Sequence, residues 1–468
     1  MPGPHRPSAA RSIFAATVTA AVLVASGAPA PALAARRTIT ENDLLRFEWA
    51  ADPQISPDGA RVAFVRVKVD SADDEYRTGI WVVDAAGGEP RSFTSGPRDA
   101  QPRWSPDGRW LAFVRGAEGK PGQIWLLPLA GGEPMPLTQL AKGAGSPAWS
   151  PDGTRLAFTS GQNPALDDDT TRAKPRHEPG RVVVRPIFRQ NGQGFIDFEH
   201  PDHVWVIAAA GGPARQLTTG RFDEGAPRWS RDGKWITFAS DRRAEPWFGV
   251  DDADLYAVSP DLPRPTDGAE RKTVLDFRGP VGAYAEAPDG AIVTIGNLQP
   301  DDPKRVRSYD QDDLLIAEGP WPRRSVKNLT AEYDFDVGGG IASDQHPPRG
   351  GGARPLAFAP DGRSILTVVA RHGASMLARV DRATGAVAEL TDSTREVIAG
   401  SASADAKRWA LLLGDVSHPG DLYLYDAGSG GLGSSGARTT RGSARSRWVL
   451  PRASGTAPST AHRSRPGW

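Results

Sequence analysis

Cysteine is absent from the 468 residues, which excludes disulfides, thiolate metal sites, cysteine nucleophiles and a lipid-modified N-terminal cysteine. Net charge is absent too: 56 basic residues balance 56 acidic ones, so nothing favours nucleic acid or an anionic surface as partner. The pentapeptide G-x-S-x-G, which presents the nucleophile of α/β-hydrolases, does not occur. We therefore assign no catalytic residue, and we expect no metal ion and no cofactor.

The N-terminus carries the features that predict a compartment. An apolar run from Ile13 to Val24 follows the basic residues Arg6 and Arg11 and precedes a stretch of small residues ending at Ala34. This order is typical of a secretory signal peptide, and the run is too short for a comfortable membrane span. We expect residues 1–34 to be cleaved and the protein to be exported, periplasmic or extracellular, with no membrane contact beyond export.

One short sequence motif, which we call the hairpin phrase, occurs in seven copies. In its clearest copy, Ser105-Pro106-Asp107-Gly108 stands between two segments of alternating apolar residues. Proline fixes φ at the first turn position, aspartate accepts backbone hydrogen bonds, and glycine takes the positive φ of the return, so the phrase predicts a β-hairpin. The copies begin at Ser56, Ser105, Ser150, Ser230, Ala287, Ala359 and Ser403.

A second signature alternates with the first. Ile80-Trp81-Val82-Val83 is followed by Gly87-Gly88 and then Phe93-Thr94, and the pattern returns at 124–138 and 204–218. Four short strands per ~40–50 residues are typical of a propeller blade. We predict an all-β fold, a seven-bladed β-propeller of WD40-like or TolB-like repeats over residues 35–430. The repeated Asp and Trp residues are interpreted as scaffold rather than site.

Two insertions, at about 161–200 and 300–352, interrupt the repeats, and long loops often carry function. The acidic triplet 167–169 has two readings, a solvated loop or a cation site. His177 with Glu178, and His200 with His203, lack convincing metal-ligand spacing. The glycine triplets 338–340 and 350–352 are not phosphate loops, because no G-K-[ST] follows them.

Four segments resemble the prolyl oligopeptidase (S9) serine peptidases, in particular the bacterial branch similar to acylaminoacyl-peptidases and dipeptidyl-peptidases. They are the opening 44–59, the R-x-[DN]-G-x-G-[FY] segment 189–195, residues 229–243, and residues 419–426 of the last repeat. The resemblance covers about residues 38–430. It implies an N-terminal propeller that caps an α/β-hydrolase carrying a Ser, Asp, His triad and admits only short peptides.

The sequence departs from that family because no hydrolase segment follows, so whether the chain is an enzyme stays uncertain. Peptides are expected substrates only if the propeller is joined to a hydrolase. The resemblance makes Arg189, Asn191 and Gln193 candidates for substrate binding, because arginine suits a peptide carboxylate or carbonyl. The alternative is that Arg189 pairs with Asp197 or Glu199. The apolar residues around Leu44, Leu45, Phe47 and Trp49 are expected to be exposed or loosely docked when the hydrolase partner of the segment is absent.

The C-terminal residues 427–468 contain no acidic residue and seven arginines among Gly, Ser, Ala, Thr and Pro. Such a bias predicts a disordered tail over 431–468. A frameshift is the second explanation, since residues 458–468 are compatible with an out-of-frame V-D-G-S-S-I-E-A-W-L. Two functions follow. The first is a truncated, non-catalytic peptidase propeller; the rival is a TolB-like periplasmic propeller that binds an envelope protein.

Overall fold

The described chain begins with one helical turn and continues almost entirely as short strands. The computed structural model describes residues 40–167, 182–183, 185–191, 194–246, 248, 250–300, 311–319, 321, 324–341, 346–415 and 418–434. Helix α1 covers Glu41–Leu44, and the backbone N–H of Thr40 donates to the Asp43 carboxylate at 2.9 Å, as the sequence predicts for a cap. No helix in these ranges has the length and apolar character needed to cross a membrane. The predicted signal peptide lies outside them.

In the described residues the strands pair in chain order, mainly as antiparallel ladders, and for reference we number these groups of strands as blades 1 to 7. Blades 1 to 3 contain, in order, β1 Glu48–Ile55, β2 Arg61–Asp70, β3 Glu75–Asp84 and β4 Arg91–Ser92; β5 Arg98–Trp104, β6 Trp110–Ala117, β7 Lys120–Pro128 and β8 Met135–Pro136; β9 Gly145–Trp149 and β10 Arg155–Ser160, then the insertion with α2 Pro164–Asp167, β11 Arg189–Gln190 and β12 Gly194–Phe195, then β13 His203–Ala208 and β14 Arg215–Gln216.

Blades 4, 5 and 7 follow with the same up-and-down connection, and in blade 6 the first strand is divided into two segments that both pair with the next strand. Blades 4 to 7 contain β15 Arg228–Trp229, β16 Ile236–Ser240, β17 Asp254–Val258 and β18 Lys272–Leu275; β19 Tyr284–Glu286, β20 Ile292–Gly296, β21 Asp313–Glu318 and β22 Ser325–Asn328; β23 Asp336–Val337, β24 Ala357–Phe358, β25 Ser364–Arg371, β26 Ala374–Asp381 and β27 Val387–Glu389; β28 Glu396–Ala402, β29 Arg408–Asp415, β30 His418–Asp426 and β31 Gly431–Ser434.

Each hairpin phrase folds as its residue types require. The Ser56 hydroxyl donates to the Asp58 carboxylate at 2.5 Å and accepts the backbone N–H of Arg61 at 2.9 Å, while Gly59 has φ +70°. In the copy at residues 150–153, the serine hydrogen bond lowers the pKa of Asp152 to about 2. The hydroxyl contacts recur at Ser105, Ser150, Ser230 and Ser403. The predicted scaffold role of these aspartates is confirmed.

The threonine of the second signature joins the third strand of a blade to the segment after the fourth. Thr94 Oγ1 accepts the backbone N–H of Ile80 at 3.0 Å, and Thr138 Oγ1 accepts that of Ile124 at 2.9 Å. Blades 3, 5 and 6 repeat this contact through Thr218, Thr330 and Thr391. The outer strand is short and ends before this position, so the threonine hydroxyl takes the place of a backbone carbonyl as acceptor for the N–H of the third strand.

Apolar clusters fill the space between every pair of neighbouring blades. Phe113 lies between blades 1 and 2, Phe158 between blades 2 and 3, and Phe238 between blades 3 and 4, and further clusters join blades 4 to 5, 5 to 6 and 6 to 7. A seventh cluster packs β2 of blade 1 against β29 of blade 7, which closes the ring. The predicted all-β propeller class is confirmed.

Two boundaries differ from the sequence prediction. Strand β31, Gly431–Ser434, pairs with β30 as the outer strand of blade 7, so the propeller extends four residues into the segment predicted to be a disordered tail. A backbone ladder needs no apolar side chains, which is why composition missed it. At the other end, Leu44 and Leu45 are exposed as expected, but Trp49 is buried and packs edge-on against Phe47 and Tyr76.

Candidate functional site

The first strands of neighbouring blades line the centre of the ring, and in blades 1 to 3 each carries a β-bulge. Asp52, Gln101 and Ser146 have φ of 44°, 53° and 53°, and each is followed by a proline. Because the bulge at Asp52 interrupts the ladder with β2, the Asp52 backbone N–H is free for another partner. It donates to Gly351 O at 2.8 Å.

Gly351 belongs to a segment, residues 346–356, that we call the strap. It leaves blade 6 between β23 and β24 and reaches the inner strands of blades 1 and 7. Gly400 N donates to Ala353 O at 2.9 Å, and His346 Nε2 lies 2.7 Å from Glu396 Oε1. The strap is therefore held by backbone hydrogen bonds to both neighbours and by one histidine–carboxylate contact.

The close approach of the strap to blades 1 and 7 leaves no space for side chains at positions 350 and 352 of the glycine triplet. A Cβ at Gly350 would lie 2.8 Å from Ala51 Cβ, and one at Gly352 would lie 2.8 Å from Ala399 Cβ. All three glycines also have positive φ, of 88°, 61° and 142°. The packing gives the reason for the triplet, which the sequence alone did not supply.

Between the strap and the inner edges of blades 5 to 7 lies a cavity of about 680 Å³. Its apolar lining includes Ile295, Leu356 and Ile398. Charged side chains from three different segments, Asp251, Asp312 and Arg354, border the same space. A cavity of this size with apolar walls and a few polar groups is typical of small-molecule sites.

The two charged groups best defined by contacts are Asp312 and Arg354. Burial raises the pKa of Asp312, and the carboxylates of Asp336 and Asp313 add to the effect, against a hydrogen bond from Asn297 Nδ2 at 3.0 Å. The exposed Arg354 guanidinium donates to Gly338 O at 2.9 Å, and it forms no ion pair with a carboxylate of the described residues. It retains donors for a further acceptor.

One buried polar atom behind the lining has no partner. Thr367 lies on β25 and is fully buried, and its Oγ1 makes no hydrogen bond within the described residues. An unsatisfied buried hydroxyl costs about 1–3 kcal/mol. Nothing in the sequence marks Thr367, because it stands in an ordinary strand pattern between Leu366 and Val368.

The residues predicted to bind substrate lie elsewhere, on the blade 3 insertion. Arg189 is exposed on β11, with its guanidinium carbon 5.9 Å from the centre of the Phe195 ring. Asn191 is exposed in the turn, and Gln193 lies outside the described residues. Asp197, the partner considered for Arg189, instead contacts Lys142 at 3.3 Å and His200 at 2.7 Å.

The acidic and histidine groups of this insertion are also engaged. His200 lies between Asp167 and Asp197, and His203 Nδ1 lies 2.7 Å from Glu224 Oε2 inside blade 3. His177 and Glu178, and the rest of the triplet after Asp167, lie outside the described residues. In the part of the chain that the structure describes, no group of three or more His, Cys, Asp or Glu residues is placed to hold a metal ion.

Glu224 is the centre of a buried network that the sequence did not reveal. Its carboxylate also accepts the Thr218 hydroxyl at 2.6 Å and pairs with Arg242. Burial lowers the pKa of Arg242 against the attraction of Glu224. Because the residues of this network come from separate loops and strands, no local spacing in the sequence predicts it.

Comparisons with known proteins agree with this architecture. Residues 36–173 match the TolB β-propeller domain family. The chain is 32% identical over 209 residues to the Uncharacterized peptidase YuxL of Bacillus subtilis (strain 168), a match that spans 44% of this chain and 31% of that protein. It thus covers less than a third of the curated relative it matches.

Two solved structures are similar in fold. The acylaminoacyl peptidase of Pyrococcus horikoshii aligns with a TM-score of 0.58 at 17% identity, over 84% of this chain and 53% of that one. The propeller domain of the Trilobed protease from Pyrococcus furiosus, described as having an open velcro topology, aligns with a TM-score of 0.55 at 16% identity, over 84% and 97%. Within the described residues of our structure, blades 1 and 7 each consist of contiguous chain and meet through side-chain packing.

Proposed function

We propose a function from one premise, that this chain carries a β-propeller related to the propellers of the S9 (prolyl oligopeptidase) peptidases. It would supply the non-catalytic, substrate-gating part of an exported S9 serine peptidase that acts on short peptides. The hydrolase would be encoded outside these residues. On its own the chain would have no peptidase activity.

The observation that carries the proposal is the strap. It lies against the inner strands of blades 1 and 7 and borders the cavity at blades 5 to 7. We propose that a peptide passing through the ring meets the strap there. A segment held by a few hydrogen bonds can limit the width of such a passage without blocking it. This fits exclusion of long or folded substrates and admission of short ones.

The genetic part of the test is the DNA that follows the codon for Asp426. If the frameshift explanation holds, a shifted frame there encodes a G-x-S-x-G motif within about 250 residues, the size range of one domain. Absence of that motif from all frames would reject descent from a complete peptidase.

The functional part uses the frame-repaired protein. His346→Ala removes the side-chain contact to Glu396 and should loosen the strap. We expect kcat/KM to rise severalfold for peptides of about 30 residues and to stay the same for short peptide amides, because only long substrates are excluded by width. His418→Ala, in an exposed pair with Asp415 on blade 7, is the matched control. An equal effect on both peptide lengths would contradict gating by the strap.

The blade 3 candidates have a separate test in the same protein. If Arg189 holds a peptide carboxylate or carbonyl, Arg189→Ala should lower kcat/KM on short peptides by tenfold or more, which corresponds to ~1.4 kcal/mol, with unchanged melting. Arg185→Ala is the control; this residue lies four positions before Arg189, and its guanidinium carbon lies 3.9 Å from the centre of the Phe198 ring. Unchanged kinetics would leave Arg189 with a structural role.

A second candidate function is a TolB-like envelope protein that binds a partner. It is favoured by the match to the TolB domain and by the closure of the ring through packing of blade 1 on blade 7. It predicts that the purified chain is a stable monomer that retains one specific protein from an envelope fraction. Aggregation of the chain with no retained partner would reject it.

A further inference from the structure

The cavity beside the strap has the chemistry of a ligand site rather than of a packing defect. A packing defect would be lined by apolar atoms alone and would stay dry. Here Arg354 and the acidic residues Asp251 and Asp312 border one space together with apolar walls. A ligand that satisfies all of them carries a negative group, a positive group and an apolar body.

The hydroxyl of Thr367 lies behind the cavity wall and not on its surface. It is buried without a hydrogen-bond partner, which is rare for native proteins, and its Oγ1 has almost no accessible surface. The two flanking residues on β25, Leu366 and Val368, are buried in the cluster between blades 6 and 7. The hydroxyl is therefore not available to a ligand, and the polar contacts of a ligand fall to Arg354 and the acidic residues of the lining.

Arg354 sets the polarity of the ligand. Its guanidinium is fixed by Gly338 O on one side, and Gly340 leaves room for it, since a Cβ there would lie 2.0 Å from the Arg354 NH2 group. A fixed guanidinium with free donors is suited to a carboxylate, which it can hold by two parallel hydrogen bonds.

We propose that this cavity binds a short peptide, with the terminal carboxylate at Arg354, the apolar side chains against Ile295, Leu356 and Ile398, and the free amino group toward Asp251 and Asp312. The choice of a peptide among carboxylate ligands rests on the proposed function. The cavity then selects for free C-termini at the gate, before any chemistry.

The test measures binding to the full chain by titration calorimetry, so it needs no hydrolase. The probes are a tetrapeptide of alanine and leucine with a free C-terminus and the same peptide as its C-terminal amide. The free acid should bind at least tenfold more tightly than the amide. Arg354→Gln should abolish that preference, whereas Arg349→Gln, an exposed strap residue that donates to Pro348 O, should retain it.

Thr367→Val removes the hydroxyl at nearly constant volume. It should leave the affinity for both peptides unchanged, because the ligand does not reach this hydroxyl, while the melting temperature stays the same or rises because the unsatisfied group is lost. Equal affinity of the parent for acid and amide, retention of the preference in Arg354→Gln, or no binding of either peptide at about 1 mM would each overturn the proposal.

Failure of this proposal can be told apart from failure of gating. Loss of the carboxylate preference in Arg354→Gln, with His346→Ala leaving the length dependence of the repaired enzyme unchanged, supports the cavity and rejects the strap as a gate. The reverse pair of results rejects the cavity and supports gating.

Discussion

Neighbouring inner strands are joined by different contacts in blades 1 to 4 and in blades 5 to 7. In the first group, a tryptophan indole N–H of one blade donates to a carbonyl on the inner strand of the blade before it. Trp104 reaches Gln54 O at 2.8 Å, Trp149 reaches Arg103 O at 3.0 Å, and Trp229 reaches Ala148 O at 3.0 Å. These regular contacts fix adjacent inner strands to each other.

The second group lacks this chain of contacts among the described residues. Blade 5 meets blade 4 through Arg228, which donates to Tyr284 O at 2.9 Å, and the indole of Trp409 in blade 7 donates within its own turn to Ala406 O. The two weakest hairpin copies, at Ala287 and Ala359, also lie here. The cavity and the strap therefore occur in the part of the propeller where the repeat is least regular.

The largest expected effect compares the cores of the two groups. Phe158→Ala removes a fully buried ring that stacks on Trp205 between blades 2 and 3, and should lower the free energy of unfolding by about 3–5 kcal/mol. Ile295→Ala, at the cavity wall, should cost about 2 kcal/mol, the lower end for such truncations, because space already adjoins it. Chemical denaturation measures both. Equal costs would mean that the cavity does not affect local packing.

A smaller effect isolates one indole contact. Trp149→Phe removes the donor to Arg103 O and should destabilise the protein by about 1–2 kcal/mol more than Trp110→Phe. Trp110 packs partly buried in the same cluster, and within the described residues its indole makes no hydrogen bond. Equal melting temperatures for the two variants would remove the indole contacts as the basis of the comparison.

At the junction of the two groups, Asp254 of blade 4 gives a pH dependence. Burial, followed by the charge of Asp276, raises its pKa from 3.8 to about 7. The folded protein therefore binds this proton more tightly than the unfolded chain, so its contribution to stability falls as pH rises from about 4 to about 7.

Asp254→Asn should flatten that decline, so that the variant gains melting temperature relative to the parent at pH 7.5 but not at pH 4. The exposed Asp84→Asn is the control and should follow the parent at every pH. If the melting temperatures of the parent and of Asp254→Asn differ by the same amount at both pH values, the raised pKa of Asp254 is contradicted.

The smallest effect repairs a weak repeat. Ala359→Ser should allow its hydroxyl to donate to Asp361 and to accept the N–H of Ser364, as Ser105 does with Asp107 and Trp110. We expect a gain of about 0.5–1 kcal/mol in the free energy of unfolding, the value of one net hydrogen bond. The reverse change, Ser105→Ala, should lose a similar amount, and a loss in both variants would show that blade 6 does not accept the regular turn.

Much of the fold could be predicted because its determinants are local. The turn at Ser56 to Gly59 needs four adjacent residues, and the glycine pairs at 87–88 and 131–132 take the positive φ that their types allow. The positive φ of Asp52 before a proline was not predictable in the same way, since non-glycine residues rarely adopt it. It is maintained by contacts with Arg103 at 2.8 Å and with the strap.

The sequence by itself determined the turns, the strand count of each repeat and the propeller class, because each depends on residues a few positions apart whose conformational preferences add up. Tertiary structure alone decided the cavity and the strap. Asp52 meets Gly351, and Gly400 meets Ala353, only after the ring has closed and brought blades 1, 6 and 7 together. The surroundings of the Thr367 hydroxyl and of the Arg354 guanidinium are likewise formed by residues far apart in the sequence, so no spacing along the chain predicts them.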